Sequence, residues 1–159
     1  MISSTDGWAV GDDSGVIPGQ PIMFRWNSPL AGQWNDWTPS APPGGGANLN
    51  SVYMISSTDG WAVGDDPGTG QPIMFRWNGS AWVDWSGTAP NIGANLMSVS
   101  MVSSSDGWVV SDAGDMLHWI GVSWTVDTQG TMASGGNRLN SVMIIGPKRP
   151  NIAWREVPQ

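Results

Sequence analysis

The stretch Ser-Ser-Thr-Asp-Gly-Trp-Ala-Val-Gly-Asp-Asp at residues 3–13 returns unchanged at residues 56–66. A looser copy, Ser-Ser-Ser-Asp-Gly-Trp-Val-Val-Ser-Asp, follows at residues 103–112. The copies therefore recur with a period of about 50 residues, a length typical of repeat architectures built from one supersecondary unit per copy. The repeat predicts the fold of this chain more strongly than any other feature of the sequence.

Each copy lies in a longer unit that the pattern divides into four short strands, called a to d below. In the second unit, turn signals separate strand a (49–56), strand b (61–64), strand c (72–77) and strand d (80–85). The equivalent segments of the first unit are 8–11, 21–26 and 33–37, with residues 1–3 as a remnant of strand a. Those of the third unit are 96–102, 108–111, 116–120 and 123–127. Residues 139–145 repeat the opening of strand a, and 151–157 resemble a strand b. Because no segment has a sustained 3.6-residue period, no helix is expected.

Four strands per period predict an all-β fold of the β-propeller type, with four-stranded antiparallel blades. We expect about three blades in one array over residues 1–159: blade 1 at about 1–46, blade 2 at 47–94, blade 3 at 95–137 and a partial blade at 138–159. The 12 Trp residues fit blades that pack on both faces. The repeated positions expected to build this packing and its turns are Trp8, Trp61, Trp108, Trp26, Trp77, Trp119, Gly7, Gly60 and Gly107.

The three glycines follow Asp in each copy, and Asp-Gly between apolar runs is a strong hairpin signal. We therefore expect a tight turn between strands a and b, with Gly7, Gly60 and Gly107 at positive φ.

Composition excludes several classes of protein. A formal net charge of −7 disfavours nucleic acid as a partner, because an acidic surface repels phosphate backbones. There is no Cys, which excludes disulfides and thiolate metal sites. No run of 18 apolar residues predicts a membrane span, and charged residues are too few and aromatic rings too many for a disordered chain.

The order Leu-Asn-Ser-Val, Asp-Gly-Trp-Ala-Val-Gly-Asp and Phe-Arg-Trp-Asn-Gly-Ser-Ala-Trp resembles the blades of a known superfamily. It is similar to the photosystem II assembly factor-like and bacterial neuraminidase-repeat (sialidase-like) propellers, over nearly the whole chain. The resemblance implies a propeller scaffold in an extracellular or cell-surface protein. The turn at residues 77–82 lacks the Asp of the sialidase Asp-box, and this departure weakens any carry-over of function from the sialidases.

Residues capable of chemistry are few, and most of them are repeated. Sialidases use a Tyr nucleophile and an arginine cluster, whereas this chain has Tyr53 alone, and Arg25 and Arg76 are copies of each other. The best candidate Ca²⁺ ligands are Asp12, Asp13, Asp65 and Asp66, although their loops offer few of the 6–8 oxygens that Ca²⁺ prefers. His118 takes the position of Arg25 and Arg76, which indicates a strand residue. We expect no catalytic residue and no cofactor.

The sequence thus predicts a non-enzymatic propeller module, acting in assembly or in recognition of protein or carbohydrate. The alternatives are a fragment of a sialidase-like glycoside hydrolase and a structural subunit of a surface polymer or filament. About three blades are too few to close a ring, so either the rest of a longer propeller chain is needed or several copies assemble. We expect a homo-oligomer, a dimer first of all, in which strand 139–145 of one copy pairs beside strand 8–11 of another.

Overall fold

The structure, a computed structural model, describes residues 6–13, 20–27, 32–38, 46–128 and 137–146. Within these ranges the chain forms β-strands and a turn of 3₁₀-helix at Ser86–Thr88, without any α-helix. The expected all-β fold is confirmed. The strands are β1 (Asp6–Asp13), β2 (Gln20–Asn27), β3 (Trp34–Asp36), β4 (Asn48–Ser56), β5 (Asp59–Asp66), β6 (Gln71–Trp77), β7 (Trp82–Asp84), β8 (Leu96–Ser103), β9 (Asp106–Ser111), β10 (Met116–Trp119) and β11 (Trp124–Val126).

The strands form three antiparallel sheets, in each of which neighbours along the chain are neighbours in space. Sheet 1 contains β1, β2 and β3, sheet 2 contains β4 to β7, and sheet 3 contains β8 to β11. Sheets 2 and 3 have all four strands that the repeat predicts. In sheet 1 the described strands correspond to b, c and d, while residues 1–3, read as a remnant of strand a, lie outside the described residues.

The same register recurs in the three sheets. Trp8 lies opposite Arg25, Trp61 opposite Arg76, and Trp108 opposite His118. Successive strand residues point to opposite faces of a sheet. The register therefore fixes which repeated side chains share a face, and it is the same face in each copy.

The expected Asp-Gly turns are wrong. The turn between β4 and β5 lies at Ser57 and Thr58, and Gly60 is already within β5. None of Gly7, Gly60 and Gly107 has positive φ. The physical reason for Gly is space: a Cβ on Gly60 would overlap the sulfur of Met54 and approach the Tyr53 carbonyl oxygen to 2.9 Å. A Cβ on Gly107 would overlap the Met101 sulfur in the same way.

A hairpin turn at Asn78-Gly79 joins β6 and β7, which correspond to strands c and d of the second unit. Gly79 has a φ of 96°, a conformation in which glycine is strongly favoured. The Asn78 side-chain oxygen accepts hydrogen bonds from the backbone N–H groups of Ser80 (3.0 Å) and Ala81 (2.9 Å), which closes the loop. The equivalent Gly121 in sheet 3 has a φ of 88°.

The segment 139–145, predicted as a strand, lies beside sheet 3 without forming a strand ladder. The Val142 and Ile144 N–H groups donate to the hydroxyls of Ser98 (3.2 Å) and Ser100 (3.0 Å). The Val99 N–H donates to Ser51 Oγ (3.3 Å) in the same manner. The segment therefore occupies, relative to β8, the place that β8 occupies relative to β4. Among the described strands, none lies along its other edge.

The hydrophobic core lies between the sheets rather than within a single one. One cluster joins sheets 1 and 2 around Trp8, Met23, Phe75 and Trp77. The other joins sheets 2 and 3 around equivalent residues. The apolar side chains of one sheet are thus buried against those of the neighbouring sheet.

Candidate functional site: a repeated tryptophan interface with two open ends

Two faces of each sheet carry different repeated residues. Sheet 2 presents Trp61, Val63 and Met74 toward sheet 3, and we call this its socket face. It presents Phe75, Trp77 and Trp82 toward sheet 1, and we call this its insert face. By the repeat, the socket face of sheet 1 has Trp8, Val10 and Met23, and that of sheet 3 has Trp108, Val110 and Met116. The insert faces have Phe24, Trp26 and Trp34 in sheet 1, and Leu117, Trp119 and Trp124 in sheet 3.

The socket face of sheet 1 packs on the insert face of sheet 2. The Trp8 ring lies 4.9 Å from Trp77 and 5.3 Å from Trp82, measured between centroids. The second pair is T-shaped, at 86°, an arrangement that aromatic quadrupoles favour. Trp37, after β3, closes the third side at 5.5 Å.

The same contact is built again between sheets 2 and 3. Trp61 lies 5.0 Å from Trp119, 5.2 Å from Trp124 and 5.6 Å from Trp85. These distances match those of the first interface within a few tenths of an ångström. The two interfaces are therefore copies of one structure, as the sequence repeat predicted for its Trp residues.

At each of the two interfaces an Asp–Arg ion pair lies against the tryptophan rings. We call this group of residues the Asp–Arg–Trp brace. Arg76 donates to both carboxylate oxygens of Asp59, at 3.0 and 3.2 Å, and its guanidinium lies 5.2 Å from the Trp61 ring centroid. It also lies 5.6 Å from both Trp85 and Trp119. A planar guanidinium can pair bidentately and stack at once. The brace thus fixes strand b, strand c and the next sheet together.

Sheet 1 has the same brace. Arg25 donates to Asp6 at 3.2 Å through two nitrogens, and its guanidinium lies 5.3 to 5.5 Å from the rings of Trp8, Trp37 and Trp77. Arg25 and Arg76 therefore have the structural role that their repetition indicated.

Sheet 3 has a reduced version of the brace. His118 replaces the arginine, lying 2.8 Å from Asp106 through Nε2 and stacking on Trp108 at 4.3 Å and 10°. Asp127 stands where Trp37 and Trp85 stand in the other sheets. Its N–H donates to the Met116 carbonyl at 2.8 Å, as the Trp85 N–H does to Met74. The single-ring stack leaves more of Trp108 uncovered.

The socket face of sheet 3 is open. A cavity of about 240 Å³ lies there, lined by Trp108, Val110, Met116, Asp127, Val142 and Ile144. In sheet 2 the equivalent Trp61 is fully buried by sheet 3, whereas Trp108 is half-buried. Val110, like its equivalent Val63, is buried. Within the described residues nothing comparable covers the third copy.

The insert face of sheet 1 is open as well. Phe24 is 37% exposed, whereas its equivalents Phe75 and Leu117 are 1% and 0% exposed. Trp34 is 46% exposed, whereas Trp82 and Trp124 are each 3% exposed. The insert face of sheet 1 thus carries two exposed aromatic side chains. The socket face of sheet 3 is partly open, since Trp108 and Met116 are half-buried there and Val110 is buried.

The predicted Trp layer of Trp26, Trp77 and Trp119 is buried in two of its three copies. Trp77 and Trp119 are fully buried, and their indole N–H groups donate to the carbonyls of Ser57 (3.0 Å) and Ser104 (2.9 Å). Trp26 is half-buried and lies 5.8 Å from Trp34. The difference follows from its place on the open insert face.

The candidate Ca²⁺ ligands of sheet 2 have other partners. Asp65 accepts hydrogen bonds from the Asn48 and Asn50 side chains, at 3.3 and 3.1 Å. Asp66 accepts from the Thr69 hydroxyl (2.8 Å) and the Gly68 N–H (2.8 Å). These bonds favour the ionised carboxylate and lower the pKa of Asp66, the Thr69 hydroxyl most.

The equivalent acids of sheet 1 lie on β1, where Asp12 is opposite Pro21 and Asp13 opposite Gln20. Among the described residues, no group of three or more His, Cys, Asp or Glu is placed to hold a metal ion. Tyr53 lies in β4 opposite Trp61. In the strand register it is therefore separated from the acids at residues 65–66.

Two repeated contacts were not foreseen from the sequence. One is the serine hydroxyl that accepts an N–H from the next innermost strand, at Ser51 and Ser98. The other is the Asn–Asp link at the start of each complete sheet, Asn48 to Asp65 and Asn95 to Asp112. The recurrence of Leu-x-Ser-Val in the sequence was the available signal for the first.

Comparisons with known proteins add no family. No protein-family model matches the chain, and no curated protein matches it either. In the ranges that the structure describes, no helix has the length and apolar character needed to cross a membrane.

Proposed function

We propose that the chain is a non-enzymatic module of β-propeller type, in which each sheet is a blade, acting in assembly or in recognition of protein or carbohydrate. The observation that carries the proposal is the interface built twice with the same brace. Asp6, Arg25, Asp59 and Arg76 are engaged in holding sheets together. Repeated ion pairs of this kind support a scaffold role for residues that would otherwise be candidates for chemistry.

The geometry of the remaining candidates supports the same conclusion. The acids at residues 65–66 bind neighbouring amide and hydroxyl groups, and His118 is held by Asp106 and Trp108. A general base or nucleophile needs a neighbour that activates it and a site for substrate. His118 and Asp65 lie at repeat positions whose equivalents, Arg76 and Asp112, make structural contacts in another sheet.

The cellular setting we propose is the cell surface or the extracellular space. Support for it comes from the resemblance of the Asp-Gly-Trp and Phe-Arg-Trp blades to propellers of surface proteins. An antibody against the chain would then label intact cells or culture medium, and labelling restricted to lysed cells would contradict the proposal.

The test of the scaffold role is a screen with fluorogenic glycosides, since a sialidase-like hydrolase fragment is the main competing function. We expect no turnover that depends on Tyr53 or on the acids at 12–13 and 65–66. Turnover abolished by Tyr53→Phe, with an unchanged circular dichroism spectrum, would contradict the proposal and favour the hydrolase.

A structural subunit of a surface polymer is a second candidate function, favoured by the two complementary open faces. An insert face at one end and a socket face at the other permit head-to-tail addition of copies. Electron microscopy of native material would show filaments of one repeating unit if this function is correct.

A further inference from the structure

We propose that the open socket face of sheet 3 receives the open insert face of sheet 1 from a second copy of this chain. The proposal rests on the proposed function, because it takes the sheets as successive blades of one array, and it names the partner and the contact. The two faces are complementary, because the chain already joins a socket face to an insert face twice, between sheets 1 and 2 and between sheets 2 and 3.

The exposed side chains match the required contact in kind. In the internal interfaces, the socket tryptophan packs against two insert-face tryptophans. In the proposed interface, Trp108 would pack against Trp26 and Trp34 of the second copy, with Phe24 beside them. The 240 Å³ cavity at Trp108 is apolar over most of its lining, apart from Asp127. Large rings from the partner would remove this surface from water, which favours association.

The backbone supplies a second, directional component. Residues 139–145 lie where strand a of a following sheet belongs, held by Ser98 and Ser100. In the described residues β1 pairs along one edge only, with β2. An edge strand of this kind is a template for pairing with another chain. The segment would therefore join β1 of the second copy and complete a four-stranded sheet from two molecules.

The register of that composite sheet follows from sheet 2, where Met54 lies opposite Gly60. The equivalent residues are Ile144 of one copy and Gly7 of the other. The absence of a Cβ at Gly60 leaves room for the Met54 side chain. Gly7, the second residue of β1, would leave the same room for Ile144 of the other copy.

The contact is heterologous, because an insert face meets a socket face. Such a contact closes as a ring when the rotation permits and otherwise extends as a filament. In either case each copy uses both of its open faces, and the mass in solution is a multiple of the 16.9 kDa chain.

The test uses two single variants of the full chain and their mixture. Trp34→Asp places a charge on the insert face, and Ile144→Asp places one in the socket. Val122→Asp is the matched control, since Val122 is 77% exposed in the β10–β11 loop, away from both faces. Mass is measured by light scattering after size exclusion over a range of concentrations.

We expect the wild type and Val122→Asp to form oligomers and each of the other variants alone to fall to 16.9 kDa. An equimolar mixture of Trp34→Asp and Ile144→Asp retains one intact socket and one intact insert face, so it should recover a species of twice that mass. Recovery on mixing excludes unfolding as the cause of the loss, because an unfolded variant could not complement the other.

A wild-type chain that stays at 16.9 kDa at every concentration overturns the inference and leaves the scaffold role standing. Variants with wild-type mass, or a mixture that does not recover, overturn it too. A chain that becomes oligomeric only after residues 147–159 are removed would show that those residues, instead of a second copy, occupy the socket face. Tyr53-dependent glycoside turnover, by contrast, would overturn the proposed function without bearing on the docking.

Discussion

Arg25, Arg76 and His118 stand at one repeat position, and the side chain there differs between the two covered socket faces and the third. The two guanidinium groups span three aromatic rings each, while the imidazole covers Trp108 alone. Contacts of this type stabilise by about 0.5–2 kcal/mol, depending on how far water is excluded. The two arginines thus lie on socket faces that a neighbouring sheet covers, and the histidine lies on the open socket face.

Gly60 carries a prediction at this scale. Gly60→Ala should destabilise the chain by about 1–3 kcal/mol, because the new Cβ would overlap Met54 and crowd the Tyr53 carbonyl in a packed sheet. Gly87→Ala is the matched control, since a Cβ there meets nothing within 4 Å. Urea denaturation measures both changes. A Gly60→Ala midpoint equal to that of Gly87→Ala would show that space is not the reason for the glycine.

At the scale of the element, the loop between β5 and β6 is closed by one side chain. Asp66 accepts bonds from Gly68, Thr69 N and the Thr69 hydroxyl. The lowered pKa of Asp66 means that these bonds favour the folded chain above the ordinary pKa of an aspartate, and that this contribution is lost as the pH falls through the lowered value. The loop acid is therefore a structural group of the hairpin.

Thr69→Val tests this role. We expect the pKa of Asp66 to rise toward its ordinary value, because the hydroxyl is the main cause of the lowering, while the two backbone N–H groups hold it partly down. The pKa of Asp36, lowered by Thr38 in the same way, serves as the internal control and should not change. Carboxyl titration by NMR measures both groups. An unchanged Asp66 would contradict the assigned cause.

The elements also show what the sequence could predict. Apolar runs and Gly-rich breaks placed the strands of sheets 2 and 3 within a few residues, because strand faces follow from a local period of two. The turn at Ser57 and Thr58 was missed because Asp-Gly satisfies the same local rule, and only the Met54 side chain across the ladder reveals why glycine is needed. The hydroxyl contacts of Ser51 and Ser98 join segments nearly 50 residues apart, as reported above. No local pattern encodes such contacts.

For the candidate site, repetition was the useful signal. Repetition predicts that Trp26, Trp77 and Trp119 form one packing layer, and it indicates that Arg25 and Arg76 are structural. It could not distinguish the open copies from the covered ones, because Trp34 and Trp82, or Trp108 and Trp61, look alike in sequence. Exposure is a property of the folded array, and only the structure separates them.

At the scale of the whole molecule, three sheets share two equivalent interfaces and leave one half-interface at each end of the array. Apolar surface of this kind, present in complementary halves on one chain, favours association of copies. The two internal interfaces are therefore a template for a third interface, formed between molecules.

The most direct measurement of that claim is hydroxyl-radical footprinting of single tryptophans at increasing protein concentration, read by mass spectrometry. Trp61 and Trp77, fully buried inside the chain, should stay protected throughout. We predict that Trp34 and Trp108 become protected together and over the same concentration range, because each covers the other between copies. Oxidation of Trp34 and Trp108 that does not change with concentration, or protection of one without the other, would contradict the account.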